Sequence, residues 1–346
     1  MMETRFLGKS GLELSVFGFG CMTFSDGEGR FGATGSTSGA DAARQVDLCM
    51  DHGINFFDTA DVYAAGRSEE ILGQALGKRR NRVHVATKAF HRMGKAAHDV
   101  GLSRRHLIEA CDASLRRLGT DWIDLYQVHS FDGLTPQEET LRALDDLVRS
   151  GKVRYIGCSN FAAWQLARAL GISERERLTA YIGQQIQYSL VARTAEEELL
   201  PCGVEIGVGA IIWSPLAQGF LSGKFRGQSG GNTRLELMGA LKAYDNQRCR
   251  DVLAAVDAVV EARGNSVTHS QVALNWLKSR AGVTSVLLGA RTDEQLLDNL
   301  AAATWSLTEA EIEGLDRASQ APMHYPVSMQ YSYGSERYRS PFKRFD

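Results

Sequence analysis

Four residues of this 346-residue chain could do proton chemistry together: Asp58, Tyr63, Lys88 and His129. An acid, a phenol, an amine and an imidazole form a device for making a phenol acidic. A free tyrosine titrates near about 10 and gives up its proton poorly at neutral pH. A lysine ammonium beside it stabilises the phenolate, and each tenfold gain in acidity is worth about 1.4 kcal/mol. An aspartate beside the lysine keeps the amine protonated and oriented. An imidazole that donates to a carbonyl oxygen polarises it for attack, and a positioned general acid contributes about 10²–10⁴ in rate. Singly, each residue has a plain structural role open to it, the Asp as a turn or cap residue and the His as a packed core group. All four follow short apolar runs, and it is the set that points to catalysis.

For these groups to meet, strands must end side by side. Eight apolar, β-branched runs read as strands: Val16–Gly20, Ile54–Asp58, Val83–Thr87, Ile123–Val128, Val153–Cys158, Ile182–Ile186, Gly209–Trp213 and Ser285–Leu288. Near-continuous hydrophobicity is what strands covered on both faces require. Helical patterns lie between them. Thr135 as cap, Pro136 in the first turn and Glu138 predict a helix to about Arg149, and Ser173–Glu176, Thr292–Gln295 and Thr308–Glu311 are further capping boxes. Eight β-then-α units over about 290 residues, about 36 each, predict an α/β fold, a single (β/α)8 TIM barrel over residues 1–346. An open doubly wound sheet would have fewer strands and a switch point. No G-x-G-x-x-G follows the first strand, which argues against a Rossmann unit. Residues 4–15 read as a β-hairpin around a Gly-rich turn, closing the barrel bottom. The irregular stretches 214–245 and 323–346 read as a loop and a tail at the top, where the loops after the strands converge.

Composition narrows the partners. Lys and Arg number 39 against 41 Asp and Glu, a formal charge of −2, so neither nucleic acid nor an anionic membrane is expected to bind. The six cysteines, Cys21, Cys49, Cys111, Cys158, Cys202 and Cys249, contain no C-x-x-C pair and predict free thiols in a reducing compartment. His84, His91 and His98 recur every seven residues but fall on different elements, so no metal is expected. The N-terminus lacks a basic region followed by an apolar one, and no apolar run reaches about 18 residues. A cytoplasmic chain without a membrane segment is the expectation.

Several longer motifs surround the four residues. They are Phe57-Asp58-Thr59-Ala60-Asp61-Val62-Tyr63, Thr87-Lys88, Asp124-Leu125-Tyr126-Gln127-Val128-His129 and Gly157-Cys158-Ser159-Asn160-Phe161, then Gln185-Ile186-Gln187-Tyr188, Trp213-Ser214-Pro215-Leu216-Ala217-Gln218-Gly219 and Gly289-Ala290-Arg291. In this order, over roughly residues 4–320, they resemble the aldo-keto reductase family. The resemblance implies an NADPH-dependent oxidoreductase that reduces a small-molecule aldehyde or ketone, reversibly and without a metal. Tyr63 would be the proton donor, Lys88 the group lowering its pKa, Asp58 the partner of Lys88, and His129 the residue orienting the carbonyl. Ser159, Asn160 and Gln185 match positions that hold the nicotinamide carboxamide, and Trp213 matches the aromatic stacked on its ring. Gly20, Cys21 and Met22, after the first strand, would also meet the cofactor.

The same resemblance places Ser214, Leu216, Gly219, Leu221, Gly223 and Lys224 in a loop over the pyrophosphate, with a plain surface loop as the alternative. Gly289, Arg291, Gln295 and Asn299 would meet the adenosine end. Arg291 before a helix N-terminus suits the 2′-phosphate, whereas Asp293 and Glu294 would repel it and Gln295 has a capping role open to it. Many relatives carry Arg or Lys after the active-site His; here Ser130 follows. The tail, with Tyr325, Tyr331, Tyr333, Tyr338, Phe342 and Phe345, either shapes a pocket for a flat or bulky carbonyl compound or straps to the surface or to another subunit. Two other functions stay open: a Schiff-base enzyme using Lys88, and a non-catalytic NADPH-binding sensing subunit. The substrate, the direction and the subunit count, monomer or homo-oligomer, stay open too.

Overall fold

The computed structural model describes residues 2–27, 37–223, 241–334, 336–337 and 340–342, with 241–242 as backbone only. Lys224, and Tyr338 and Phe345 of the tail, lie outside the described residues. The expected hairpin is present as β1 (Thr4–Phe6) and β2 (Glu13–Ser15). Then come β3 (Phe17–Gly20), β4 (Phe56–Asp58), β5 (His84–Ala89), β6 (Ile123–Val128), β7 (Val153–Ser159), β8 (Tyr181–Gln187), β9 (Gly209–Trp213) and β10 (Val283–Leu288). These eight close into a parallel barrel in chain order, with β10 paired to β3. Each expected strand is there, with ends shifted by a residue or two. Helices lie between successive strands, among them Arg67–Leu76, Arg104–Leu118, Gln137–Arg149 and Ala163–Glu176.

Strand period decides what fills the barrel. Side chains alternate between inside and outside, so residues two apart share a face. The inward layer at the bottom is apolar: Phe56, Ala86, Leu125, Ile211 and Leu287 pack with Leu7, Leu12 and Leu14 of the hairpin. Inward glycines make room for that plug, since a Cβ on Gly183 would lie 2.7 Å from the Leu7 side chain. The turn itself needs Gly8, at φ +57° and with the Gly207 carbonyl 2.4 Å from where its Cβ would be. The outward residues, such as Phe57, Val85, Tyr126, Ile156 and Ile212, form the larger core under the helices. One step above the apolar layer, two residues on, the inward positions turn polar: Asp58, Lys88, Gln127, Ser159 and Gln185, all buried.

Two capping expectations are corrected. The helix expected to open on Thr135 starts at Gln137 with Pro136 at the cap position and no side-chain cap; Thr135 belongs instead to the preceding turn, where its N–H and hydroxyl both donate to Asp132. Ser173 lies inside the helix Ala163–Glu176 and gives its hydroxyl to the Thr179 carbonyl at 3.2 Å. Thr292 and Thr308 do cap their helices, but only Thr308 completes the expected box, with Glu311, since Gln295 Oε1 accepts from the Arg291 N–H and not from Thr292. All six cysteines are unpaired. No described helix is long and apolar enough to cross a membrane.

Candidate active site

Lys88 stands near the end of β5, fully buried, and its Nζ donates to Asp58 Oδ1 at 2.5 Å and to the Thr59 carbonyl at 2.8 Å. A buried ion pair is tolerable only when its remaining lone pairs are satisfied. Here Asp58 Oδ2 accepts from Gln127 Nε2 at 3.0 Å and from Gln185 Nε2 at 2.8 Å. Burial pushes the Lys88 pKa down, but the charge of Asp58, and then Tyr63, more than offset this and hold it above the usual lysine range. The amine is therefore an ammonium. Its Nζ lies 5.1 Å from the centre of the Tyr63 ring, and the Tyr63 phenol is a hydrogen-bond partner of it.

Local backbone geometry aims the phenol. After Asp58 the chain runs beside β5, with Asp61 N–H donating to the Lys88 carbonyl at 3.1 Å. It then turns sharply through Ala64 and Ala65 (φ +47° and +54°) and Gly66 (φ +95°). Left-handed backbone at two non-glycine residues stores roughly 1–3 kcal/mol apiece and persists only when the surroundings impose it. Arg117 supplies the constraint: a Cβ on Gly66 would lie 2.6 Å from its side chain. Its Nε donates to Glu69 Oε2 at 2.6 Å, while Thr87 on β5 donates to Glu69 Oε1 at 2.6 Å. The turn is thus clamped between Arg67–Leu76, Arg104–Leu118 and β5. Asp61, buried beside Glu69, is pushed well above the carboxylate range, first by burial and then by Glu69.

His129 follows β6, with its ring 5.8 Å from that of Tyr63 and nearly perpendicular to it. His91, after β5, stands 4.8 Å from His129. Asp58, Tyr63, Lys88 and His129 therefore converge at one rim of the barrel. Asn160, in left-handed backbone at φ +57°, donates to the His129 carbonyl at 3.0 Å and to Ser159 Oγ at 3.1 Å. Ser159 in turn donates to the Gln185 carbonyl at 3.0 Å. The same contacts thus draw in Ser159, Asn160 and Gln185. Trp213 is half-buried at the end of β9, and its indole N–H has no partner among the described residues. It lines a cavity of about 280 Å³ with Asn160, Phe161 and Gln187.

The remaining positions lie along the ends of β9, β10 and β3. After Trp213 the backbone is left-handed at Ser214, Ala217, Gln218, Gly219 and Gly223, and the N–H groups of Ala217, Gly219 and Leu221 close the turn onto the Ser214 and Leu216 carbonyls. A Cβ on Gly219 would meet nothing, whereas one on Gly223 would lie 2.8 Å from the His269 ring. Leu216 caps this turn, while Leu221 and Cys21 are buried, which leaves only their backbone for a ligand. Met22 is half-buried beside them, after Gly20. Thr23 Oγ1 donates to the Ala290 carbonyl at 3.4 Å and ties this segment to the loop after β10. There Asn299 Nδ2 donates to the Gly289 carbonyl at 3.3 Å, and Gln295 Oε1 accepts from the Arg291 N–H at 3.0 Å. Those two amides shape the loop, and the Arg291 side chain is left exposed. The Asp293 carboxylate, suspected of repelling a phosphate, is ion-paired with Arg44.

The polar groups fit a reduced pyridine dinucleotide: an orphaned indole N–H, an amide and hydroxyl cluster beside it, a turn open at Gly219, and an exposed guanidinium. Gln127 and Arg44 were not among the expected site residues. An inward glutamine within an apolar strand was the available signal for Gln127.

Comparison with known proteins agrees. The family model described as "Aldo/keto reductase family" matches residues 16–320. A protein named "Probable voltage-gated potassium channel subunit beta" from Arabidopsis thaliana is 37% identical over 94% of this chain and 99% of its own. "Uncharacterized oxidoreductase YrpG" from Bacillus subtilis is 37% identical over 93% and 97%. "Versiconal hemiacetal acetate reductase" from Aspergillus parasiticus is 34% identical over 91% and 96%.

Proposed function

The chain belongs to the aldo/keto reductase family, and from that premise we propose that it reduces an aldehyde or ketone to an alcohol with NADPH. The observation that carries the reading is the fully buried ammonium of Lys88, ion-paired to Asp58 and hydrogen-bonded to the Tyr63 phenol. A positive charge fixed beside a phenol favours its anion, which makes Tyr63 the better proton donor. Tyr63 protonates the carbonyl oxygen, and His129 donates to the same oxygen and orients it. NADPH, when bound, supplies the hydride. Ser159, Asn160 and Gln185 would hold its carboxamide and Trp213 would stack on its ring, so that one face is presented. Backbone amides of 214–223 would meet the pyrophosphate. Arg291, with Arg44 neutralising Asp293, would meet the 2′-phosphate.

Imine chemistry on Lys88 finds little support, because a buried, ion-paired ammonium is no nucleophile. A sensing subunit is a second reading, favoured by the relatives named potassium channel subunit beta. Loss of NADPH absorbance with a panel of aldehydes, ketones, sugars and polycyclic ketones separates the two. Many turnovers with at least one compound are expected. One oxidation per protein and no more, across the panel, would favour the sensor.

A further inference from the structure

Asp58 is the hub of a buried polar layer, and its chemistry dictates how its neighbours face. An ionised carboxylate accepts hydrogen bonds and donates none. Lys88 occupies Oδ1; Gln127 and Gln185 both reach Oδ2, at 3.0 and 2.8 Å. Each of those amides must therefore turn its NH2 group toward the acid. This assignment follows from the acceptor-only partner and not from the shapes of the two amide atoms, which are alike. Gln127 is fully buried and Gln185 is 3% exposed, so neither can trade this bond for water. Gln185 Nε2 also lies 3.5 Å from Gln127 Oε1, a second reason for it to keep its donor inward. With Nε2 committed, the atom that Gln185 has left for a ligand is its acceptor, Oε1.

We propose that Asp58, besides holding Lys88, fixes the Gln185 amide so that it offers only an acceptor, and that this site therefore selects a ligand presenting an N–H donor there. Resting on the reading above, this makes the site select a nicotinamide carboxamide against a nicotinic acid carboxylate. Gln127 adds a donor on the same oxygen, but the facing of Gln185 requires only the acid. The proton-donor machinery and ligand selection thus share one acid.

Asp58→Asn makes the opposite arrangement. The Lys88 ammonium keeps the amide oxygen of the new residue, which turns its NH2 toward Gln127 and Gln185. Gln185 then flips and offers its donor to the ligand, so a carboxylate becomes acceptable. The experiment is calorimetric titration with NADP+ and with nicotinic acid adenine dinucleotide phosphate, neither of which requires turnover. The unmodified protein is expected to bind NADP+ at least about tenfold more tightly, because a carboxylate facing a carbonyl oxygen leaves two acceptors unpaired. In Asp58→Asn the ratio is expected to fall to about one or to invert. Gln127→Met keeps the acid and must keep the preference. This variant carries the test if Asp58→Asn fails to fold, and loss of the preference in it overturns the proposal. A preference that survives in Asp58→Asn overturns it, as does equal binding of both dinucleotides by the unmodified protein, which leaves the reductase reading intact. Binding of neither dinucleotide overturns both.

Discussion

Three donors take the place of solvent around the buried Asp58 carboxylate. Lys88 holds Oδ1, while Gln127 and Gln185 share Oδ2; taking Lys88 away would leave a buried acceptor bare, at a cost of about 1–3 kcal/mol or more. The convergence of Asp58, Tyr63, Lys88 and His129 was legible in the sequence because each is a polar type set near the end of an apolar run. Gln127 was not legible as a site residue. A neutral amide inside an apolar strand marks an odd position, but its role shows only when closure of the barrel sets it opposite Asp58. Arg44 escaped for another reason, being 249 residues from its partner Asp293. At the adenosine end, Arg291→Ala is expected to weaken NADPH binding by about tenfold or more, since a charge-assisted contact to phosphate is lost. NADH, which lacks that phosphate, should bind as before. Equal weakening of both dinucleotides in fluorescence titrations would remove Arg291 from the 2′-phosphate role.

Element ends show where local signals suffice and where they fail. Thr308 and Glu311 cap their helix reciprocally, because the two residues lie three apart and need no distant partner to meet. Thr135 failed as a cap because Asp132 draws both its N–H and its hydroxyl into the preceding turn, which places the helix start two residues later. Ser173 failed because the helical pattern continues through it. Glu311 also receives two hydrogen bonds from Arg263, at 2.6 and 2.7 Å. Arg263, first, and the Thr308 donors hold its carboxyl down at about 2 against an ordinary 4.5. A folded-state pKa below the unfolded value means that the stabilisation is complete above pH 4.5 and fades as pH falls through that value toward about 2. Glu311→Gln should therefore lower stability in urea titrations at pH 7 and make little difference at the acidic end of that window. A loss of the same size at both pH values would contradict the linkage.

At the scale of the molecule, the barrel is a stack of layers: a hairpin plug, an apolar layer, a polar layer, and the rim. The eight-strand order was readable from run length and hydrophobicity, and the hairpin from its Gly-rich turn. The layering was not, because it requires knowing which of two alternating faces points inward. Leu7 fills the space that Gly183 leaves, so Leu7→Ala should cost about 2–5 kcal/mol in unfolding free energy. Its cofactor affinity should stay unchanged, because the polar layer rests on strand register. A large fall in affinity at full folding would show that the layers are not independent. The central claim is that this closure delivers an acidified phenol to a carbonyl beside a bound dinucleotide. Single-turnover reduction by NADPH-loaded Tyr63→Phe tests it most directly. The account predicts a rate lower by about 10²–10⁴-fold with NADPH affinity unaltered; a rate near that of the unmodified protein would contradict it.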